Sequence, residues 1–494
     1  MTVVPGPSRP ATTEGLDLPG PGLAERLESL LDGAIAAGSD GLAVGLVVAT
    51  VPVAGVDPIS LYAAGQEADL ETALWLQPST GTAFVGIGRA WAVEPAGPAR
   101  FQAAEAAWRD LVHEARIDRP EGDSRGSGPI LLGAMGFTGR SPAPDDVWAP
   151  FGSSSMVLPE LLLSVTADGA TLTGSLVAPA SDARAIERRW DRLVARAREL
   201  APGPHGLVAR PVFGALVTTE EQPSKDAFRR LVGMFSGAVG RGRIDKVVLA
   251  RRVRLRSPVE LDVPNALRRL AASAPESTTY AFRRGGRTFL GATPERLVRT
   301  DGRSFRTVAV AGTIRRGADA AEDAQLGRAL LASEKDREEQ AIVVDGIRDL
   351  LAPVADSLEV APEPTVMTLR FVQHLVTEIS GTVPEGHGLL ALGERLHPTP
   401  AVGGEPRDVA LAMLDEHEGF DRGWYAGPIG WLGADGDGEM MVALRCGLVT
   451  GSTATLFAGC GIVADSDPAR EWGESRLKLR TMIAALGHID EIDR

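Results

Sequence analysis

Short apolar runs that alternate with segments of helical spacing are the feature of this 494-residue chain that most restricts its fold. Apolar runs such as Leu161–Val165 and Thr171–Val177 have the length of strands, and turn residues bound them. Between such runs lie stretches of helical periodicity, such as Ala183–Leu200. Strands and helices do not alternate regularly, as the βαβ units of a parallel sheet would require. The pattern therefore predicts an α+β fold.

The composition excludes several classes of protein. A formal net charge of −14 argues against nonspecific binding of nucleic acid, which requires a basic surface. Two cysteines provide no disulfide framework, and the seven histidines show no metal-ligand spacing. No signal peptide is visible, and the longest apolar stretch, around Met156–Val165, is too short to span a bilayer. We therefore expect a cytoplasmic protein that binds neither nucleic acid nor membranes.

Four parts of the chain differ in character. Residues 1–20 are rich in Pro, Gly and Thr and predict a disordered tail. A connector rich in Pro, Gly and Glu, at residues 201–223, follows an irregular first half and precedes a more regular second half. In the first half we expect one continuous strand at Thr82–Val93. In the second half we expect one long helix at Leu326–Leu351 and a C-terminal helix whose first turn contains Pro468.

Two of the predicted helices each carry a pair of acids on one face. Asp336 and Glu339 are separated by three residues, as are Glu471 and Glu474. Mg²⁺ takes oxygen ligands, often one or two carboxylates, and keeps waters that a substrate can displace. Acids near helix ends equally serve solvation and the helix dipole. The spacing alone leaves both interpretations open.

Two further residues have both a structural and a catalytic interpretation. Lys246 lies in an apolar strand beside Val247 and Val248. Its amine either extends to solvent or, if buried, is favoured in the neutral form that can act as a base. Glu295 follows Pro294 and is either a turn residue or a general acid.

A resemblance to a known family rests on a series of motifs in one order. The motifs are Lys246–Arg251, Gly291–Leu297, Ala311–Thr313, Ser333–Glu339, Gln373–Leu375, His397–Gly404, Gly423–Pro428, Arg445, Gly459–Pro468 and Glu471–Lys478. Together they closely resemble the chorismate-utilising enzymes and, within that family, the isochorismate synthases. The strong similarity covers about residues 225–484, and a weaker one extends toward residue 44.

The resemblance implies a fold and a reaction. The fold is one large domain with two β-sheets wrapped by helices. Residues 21–223 would be its divergent N-terminal part, and residues 224–494 its catalytic, chorismate-binding part. The implied reaction is the Mg²⁺-dependent, reversible isomerisation of chorismate to isochorismate, whose product would feed menaquinone or siderophore biosynthesis. We expect the enzyme to be a monomer.

The resemblance also implies roles for single residues. Lys246 would activate water for attack at ring C2, and Glu295 would protonate the departing C4 hydroxyl. Glu339 and Glu474 would be the Mg²⁺ ligands, with Asp336 and Glu471 holding the waters of the ion. The residues that would bind the substrate are Tyr425, Arg445, the backbone at Gly459 and Gly461, Lys478, Ala401, His374 and Thr313.

Three positions separate the subtypes within the family. Lys246 favours water over ammonia as the nucleophile. Ala311 occupies the position of a nucleophilic lysine in aminodeoxychorismate synthases, and Ala401 resembles isochorismate synthases more than salicylate synthases. A salicylate synthase, an anthranilate-synthase-like subunit with a glutaminase partner and a catalytically silent homologue are the alternatives. Two positions depart from the family: Gln340 replaces the usual histidine, and Cys460 replaces a small residue.

Overall fold

The computed structural model of the chain describes residues 22–37, 45–53, 55–119, 126–177, 182–201, 215–369 and 371–487. The predicted tail at residues 1–20 lies outside these ranges, as does most of the predicted connector. The described residues form helices and two large β-sheets, and the predicted α+β class is confirmed.

The helices and strands follow one another along the whole described chain. The helices are α1 (Leu23–Ala37), α2 (Pro58–Glu67), α3 (Arg100–His113), α4 (Ala183–Leu200), α5 (Lys225–Gly240), α6 (Val263–Ser273), α7 (Ala320–Ala332), α8 (Glu334–Leu351), α9 (Leu389–Leu396), α10 (Arg407–His417) and α11 (Pro468–Leu486). The strands are β1 (Leu46–Pro52), β2 (Thr72–Gln77), β3 (Thr82–Ile87), β4 (Trp91–Val93), β5 (Arg116–Asp118), β6 (Ile130–Met135), β7 (Ser154–Leu158), β8 (Leu161–Thr166), β9 (Gly169–Val177), β10 (Val217–Gln222), β11 (Lys246–Arg256), β12 (Thr278–Arg284), β13 (Arg287–Thr293), β14 (Arg296–Asp301), β15 (Ser304–Arg315), β16 (Ser357–Val360), β17 (Thr365–Thr368), β18 (Val372–Thr382), β19 (Gly404–Glu405), β20 (Pro428–Gly433), β21 (Gly438–Val442), β22 (Cys446–Thr450) and β23 (Thr453–Ile462).

Both sheets contain strands from both halves of the chain. The larger sheet has the order β10-β11-β23-β22-β13-β12-β2-β3-β8-β9-β1-β5, with β19 added beside β11. The smaller sheet has the order β16-β18-β15-β14-β21-β20-β6-β7-β4, with β17 added beside β18. The halves meet where Tyr280 pairs with Trp75 in the larger sheet and where Gly430 pairs with Gly133 in the smaller one. The two halves therefore fold as one α+β unit.

The larger sheet has one face against helices and the other against the smaller sheet. Successive side chains of a strand point to opposite faces. Trp75 and Phe289 accordingly lie in the core shared with the smaller sheet. Their chain neighbours Leu74 and Leu290 pack in a second core with α1, α2, α4, α6 and α11.

Two of the places where the chain crosses from one sheet to the other are neighbours. One crossing joins β13 to β14 and contains Glu295, and the other joins β21 to β22 and contains Arg445. Backbone hydrogen bonds hold the crossings side by side, because Val442 N donates to Glu295 O (2.9 Å) and Ala292 N donates to Arg445 O (3.2 Å). The crossings therefore bring two charged residues together at a junction between the sheets.

Two predicted elements are each divided in the structure. The predicted strand Thr82–Val93 is two strands in different sheets, because the chain turns at Gly88, whose φ of +73° is in the region that favours glycine. The predicted helix Leu326–Leu351 is α7 and α8. Ser333 ends α7 and caps α8, where its side chain accepts from Asp336 N. The short helices α2, α6 and α9 were not predicted.

No helix within the described ranges combines the length and the apolar character needed to cross a membrane.

Candidate active site

All fourteen residues predicted for the site line one cleft, which encloses about 1130 Å³ of empty space including its open mouth. The cleft lies beside the two sheet crossings. One wall comes from β11 and β23, another from the ends of β15 and β18, and the N-terminal turns of α8 and α11 complete it. The structure thus brings together residues that lie up to 232 positions apart, from Lys246 to Lys478.

Lys246 lies at the start of β11 and is only 2% exposed. Its Nζ donates a hydrogen bond to Glu339 Oε1 at 2.8 Å, so the two side chains form an ion pair across the cleft. Gly461 leaves space for this pair, because a Cβ atom there would lie 2.7 Å from Lys246 Cε. The amine is therefore buried, paired and held at one place in the cleft wall.

Glu295 is 8% exposed, and its carboxylate has no hydrogen bond or ion pair with another described residue. Burial raises its pKa from an ordinary value of 4.5 to about 7, against the opposing effects of Arg445, Lys478 and Lys246. A carboxyl group with this pKa is protonated in a large fraction of molecules at neutral pH. Glu295 can therefore act as a general acid.

Arg445 presents an unpaired guanidinium to the cleft. No carboxylate among the described residues lies within ion-pair distance of it, and its Nη2 contacts His374 Nε2 at 3.5 Å. His374 Nδ1 lies 3.2 Å from the carbonyl of Gly312 and 3.1 Å from Thr313 Oγ1. The carbonyl can only accept, which assigns the proton to Nδ1 and leaves Nε2 to accept from Arg445.

The neutral state of His374 follows from its surroundings. Burial and the positive charges of Arg445 and Lys478 lower its pKa from 6.5 to about 3. A neutral imidazole can orient Arg445 without repelling it. The guanidinium is thus free to bind an anion, and a carboxylate is the anion that its planar fork fits best.

Lys478 and Tyr425 form the remaining polar part of the floor. Lys478 Nζ donates to Glu474 Oε1 at 2.8 Å and to the carbonyl of Gly459 at 2.8 Å. Tyr425 stacks on Phe457, with ring centroids 5.3 Å apart and an interplanar angle of 15°. A Cβ atom on Gly459 would lie 2.9 Å from the Tyr425 hydroxyl, so a larger residue there would displace the ring.

The four predicted metal-binding acids surround the cleft from two helices. Glu339 and Asp336 lie on α8, and Glu471 and Glu474 lie on α11. Among the described residues, the group of possible ligands whose atoms lie within 4.8 Å of one another consists of Glu471, Glu474 and Cys460. Burial raises the pKa of the Cys460 thiol well above its ordinary value, so this sulfur stays protonated and does not suit Mg²⁺.

Glu339 and Asp336 are not part of the group formed by Glu471, Glu474 and Cys460, because each contacts a different partner. Glu339 pairs with Lys246, and the side chain of Asp336 accepts from Ser333 Oγ. Burial tends to raise the pKa of Glu339, but the ammonium of Lys246 outweighs it and the pKa lies below the ordinary value. Mg²⁺ prefers ionised oxygen donors, and the carboxylates of Glu339 and Glu474, whose pKa values lie below the ordinary value, fit that ion. The roles of the four acids as ligands stay a prediction.

Glu471 differs from Glu339 and Glu474, whose pKa values lie below the ordinary value. Burial and the nearby charge of Glu474 raise its pKa from 4.5 to about 7, against a hydrogen bond from Ser466. A cation bound beside Glu474 would reverse this effect, because it would favour the ionised form.

Several residues of the cleft were not predicted. They include Lys335 and Arg470, which lie near its mouth, the buried Ser466, and the apolar residues Val310, Leu444 and Phe457. Lys335 and Arg470 each directly precede a predicted metal-binding acid in the chain. Their positions on the first turns of α8 and α11 could therefore have indicated that they lie near the site. The apolar residues carried no signal, since strand residues of this kind are usually core.

Comparisons with known proteins agree on one family. The model of the family described as chorismate binding enzyme matches residues 37–487. The chain is 38% identical over 454 residues to the salicylate biosynthesis isochorismate synthase of Pseudomonas aeruginosa, covering 90% of this chain and 92% of the relative. It is 33% identical over 443 residues to the isochorismate synthase MenF of Bacillus subtilis, covering 88% of this chain and 92% of the relative.

A solved structure shows the same fold. The menaquinone-specific isochorismate synthase MenF from Escherichia coli superposes with a TM-score of 0.73 at 27% identity. The superposition covers 93% of this chain and 100% of the other. The similarity thus includes the N-terminal part of the chain, where the sequence motifs are weakest.

Proposed function

Because this chain belongs to the chorismate-binding enzyme family, we propose that it is an isochorismate synthase. The observation that carries the proposal is the placement of Lys246 and Glu295 in one cleft together with the unpaired Arg445. A buried amine, a carboxyl group with a raised pKa and a carboxylate-binding cation are what the isomerisation of a dicarboxylate by water requires.

Lys246 is the general base of the proposed reaction. Lys246 is an ammonium in its ion pair with Glu339, so it acts as the base only after it has released that proton. The neutral amine then accepts a proton from water as the water oxygen attacks C2 of the chorismate ring. The ring double bonds shift, and the bond between C4 and its hydroxyl oxygen breaks. The ion pair with Glu339 holds the lysine nitrogen in the cleft wall, so the base is oriented before the substrate binds.

Glu295 is the general acid of the same step. Its proton passes to the oxygen that leaves C4, and that oxygen departs as water. One water is consumed and one is released, so the net reaction is an isomerisation. The base and the acid exchange roles in the reverse direction, which accounts for a reversible reaction.

The carboxylates of the substrate are bound by groups of different kinds. Arg445 and Tyr425, with the backbone at Gly459 and Gly461, hold the enolpyruvyl carboxylate, and Lys478 adds positive charge beside them. His374 holds Arg445 in place, and Thr313 and Ala401 border the ring. Magnesium, held by Glu339 and Glu474, would neutralise the ring carboxylate, with Asp336 and Glu471 binding its waters.

The product of the enzyme has two proposed destinations. The Pseudomonas aeruginosa relative is named for salicylate biosynthesis, and the Escherichia coli structure is described as menaquinone-specific. We propose that isochorismate from this enzyme enters siderophore or menaquinone biosynthesis. We also propose a cytoplasmic monomer, for which light scattering should give the mass of one chain.

Product identification tests the proposed function. Purified protein is incubated with chorismate and MgCl₂, and the products are separated by chromatography. We expect an equilibrium mixture of chorismate and isochorismate, and no reaction after chelation of the metal. Salicylate with pyruvate would instead show a salicylate synthase, and anthranilate formed with ammonium salts would show an anthranilate-synthase-like enzyme. Unchanged chorismate would contradict all three activities.

A further inference from the structure

Two cations at the mouth of the cleft have no part in the proposed chemistry. Lys335 lies in the first turn of α8, and Arg470 lies in the first turn of α11. Both line the cleft, and Arg470 is exposed to solvent. These two residues, with Asp465, are here called the rim.

Apart from Arg445 and Arg470, the cations of the cleft are neutralised by acids. Lys246 pairs with Glu339, and Lys478 pairs with Glu474. Lys335 on the rim pairs with Asp465 at 3.2 Å. Among the described residues, Arg470 has no carboxylate within ion-pair distance, and in this it resembles Arg445 on the cleft floor. The cleft thus has one unpaired guanidinium at its floor and one at its mouth.

Arg470 gains little stability from its position in the fold. It lies at the N-terminal end of α11, where the helix dipole disfavours a positive charge. Its contact with the helix cap is made by the backbone, because Arg470 N donates to Asp467 Oδ1 at 2.8 Å. Any residue except proline could make that hydrogen bond. The guanidinium is therefore not required for the cap.

The negative net charge of the protein explains why a guanidinium at the mouth would assist binding of an anion. A protein with a formal net charge of −14 repels a dianion at long range. A local cation at the opening of the cleft counteracts this repulsion, and its effect decreases as salt screens it.

We infer that Arg470 is a substrate-capture residue, which binds a carboxylate of the anionic substrate at the rim before that substrate reaches Arg445. The inference rests on the proposed function, since it requires a dicarboxylate substrate. It assigns to Arg470 a role in binding and none in the chemical step.

The first experiment compares Arg470→Gln with Arg306→Gln. Arg306 is also exposed and without an ion pair to a described residue, but it lies four residues along β15 from Val310, the nearest cleft residue on that strand, or roughly 13 Å from the cleft. At low ionic strength we expect Arg470→Gln to raise KM about five-fold with an unchanged kcat, as for the loss of one contact charge in water. The effect should shrink as salt is added, and Arg470→Lys should restore most of the wild-type KM. Arg306→Gln should leave KM unchanged.

If Arg470 served only to stabilise the fold, Arg470→Gln would melt at a lower temperature than the wild type. The capture role predicts no such decrease. The melting temperature of Arg470→Gln should equal that of the wild type or exceed it, because the dipole favours loss of the charge. The inference would be overturned if KM of Arg470→Gln were unchanged, or if KM increased by the same factor in Arg306→Gln. A decrease confined to kcat would overturn it too.

The second experiment increases the charge of the rim. Asp465→Asn removes the partner of Lys335 and leaves its ammonium unpaired. If rim cations capture the substrate, KM should decrease about two-fold at low salt. An increase in KM would contradict a capture role for the rim. Wild-type protein that leaves chorismate unchanged would instead contradict the proposed function, so the two failures are distinguishable.

Discussion

Glu339 and Glu295 are two glutamates of one cleft, and their surroundings have opposite effects. Glu339 has the ammonium of Lys246 at 2.8 Å, and its pKa lies below the ordinary value despite burial. Glu295 has no such partner, and burial raises its pKa to about 7. One side chain is therefore ionised and suited to a cation, and the other is suited to donate a proton. The comparison shows that a counter-ion at hydrogen-bond distance, together with greater exposure, favours the ionised form of one carboxyl group, whereas burial without such a counter-ion favours the protonated form of the other.

Removal of the counter-ion should have the largest effect on turnover. Lys246→Ala removes the general base and leaves Glu339 without its ammonium, so we expect kcat to decrease by about 10⁴-fold. The pKa of Glu339 should increase in the same variant, which would make the two glutamates more alike. Steady-state kinetics and circular dichroism measure the loss of activity and the retention of the fold. Lys225→Ala, at an exposed position on α5, is the matched control, and turnover near the wild-type rate in Lys246→Ala would remove the base from the mechanism.

Removal of the carboxyl proton of Glu295 should have the second largest effect on turnover. Glu295→Gln keeps the shape of the side chain but cannot protonate the leaving oxygen, so we expect kcat to decrease by about 10³-fold. Glu378→Gln, at an exposed position on β18, should have no effect on the rate. If Glu295→Gln retains more than a tenth of the wild-type rate, another group supplies the proton.

The same substitution should stabilise the fold at high pH. A glutamate whose folded pKa is about 7, against 4.5 when exposed, destabilises the folded state increasingly between these values as the pH rises. Glu295→Gln should therefore match the wild type at pH 4 and exceed its free energy of unfolding by about 3 kcal/mol at pH 8. Urea denaturation at both pH values measures the difference. A variant that is equally stable, or less stable, at pH 8 would show that Glu295 is not strained by burial.

The acids that surround the proposed metal should give the smallest effect. Glu471→Gln removes an acid predicted to hold waters of the ion, so we expect the apparent Mg²⁺ affinity to fall by about ten-fold. Titration calorimetry with Mg²⁺ measures this directly, without turnover. A larger loss is expected for Glu474→Gln, which removes a proposed direct ligand. Equal affinity in wild type and both variants would move the metal away from α11.

Local signals in the sequence predicted one helix to the residue and the start of another. The bounds of α4 agree with the predicted Ala183–Leu200, and the first turn of α11 contains Pro468 as predicted. In α4 and α11 an aspartate cap precedes a clear helical period. Ser333 was missed because the helical period continues across it, although serine is a common cap.

The sheet crossings could not be predicted from local sequence. The residues around Gly88, and those between Val442 and Cys446, are as strand-like as their neighbours. The change of sheet depends on which distant strands they meet, and this is a property of the tertiary structure.

The residues of the site were accessible from the family resemblance, but their electrostatics were not. Lys246 and Glu339 are 93 positions apart in the chain, and nothing in either motif indicates that they form an ion pair. The pKa of Glu295 depends on burial by residues from several strands. Arg470 and Lys335 were overlooked because cations beside acids on a helix usually belong to a solvated surface.

Infrared difference spectroscopy of Glu295 tests the central claim most directly, since a protonated carboxyl group has its own carbonyl band. Spectra of the wild type are compared with those of Glu295→Gln, which separates this signal from that of Glu471. The account predicts a carboxylic-acid band at pH 6 that is lost with a midpoint near pH 7 and is missing in the variant. A band that titrates near pH 4.5, the ordinary value, would show that Glu295 is a carboxylate during turnover and would contradict its role as the acid.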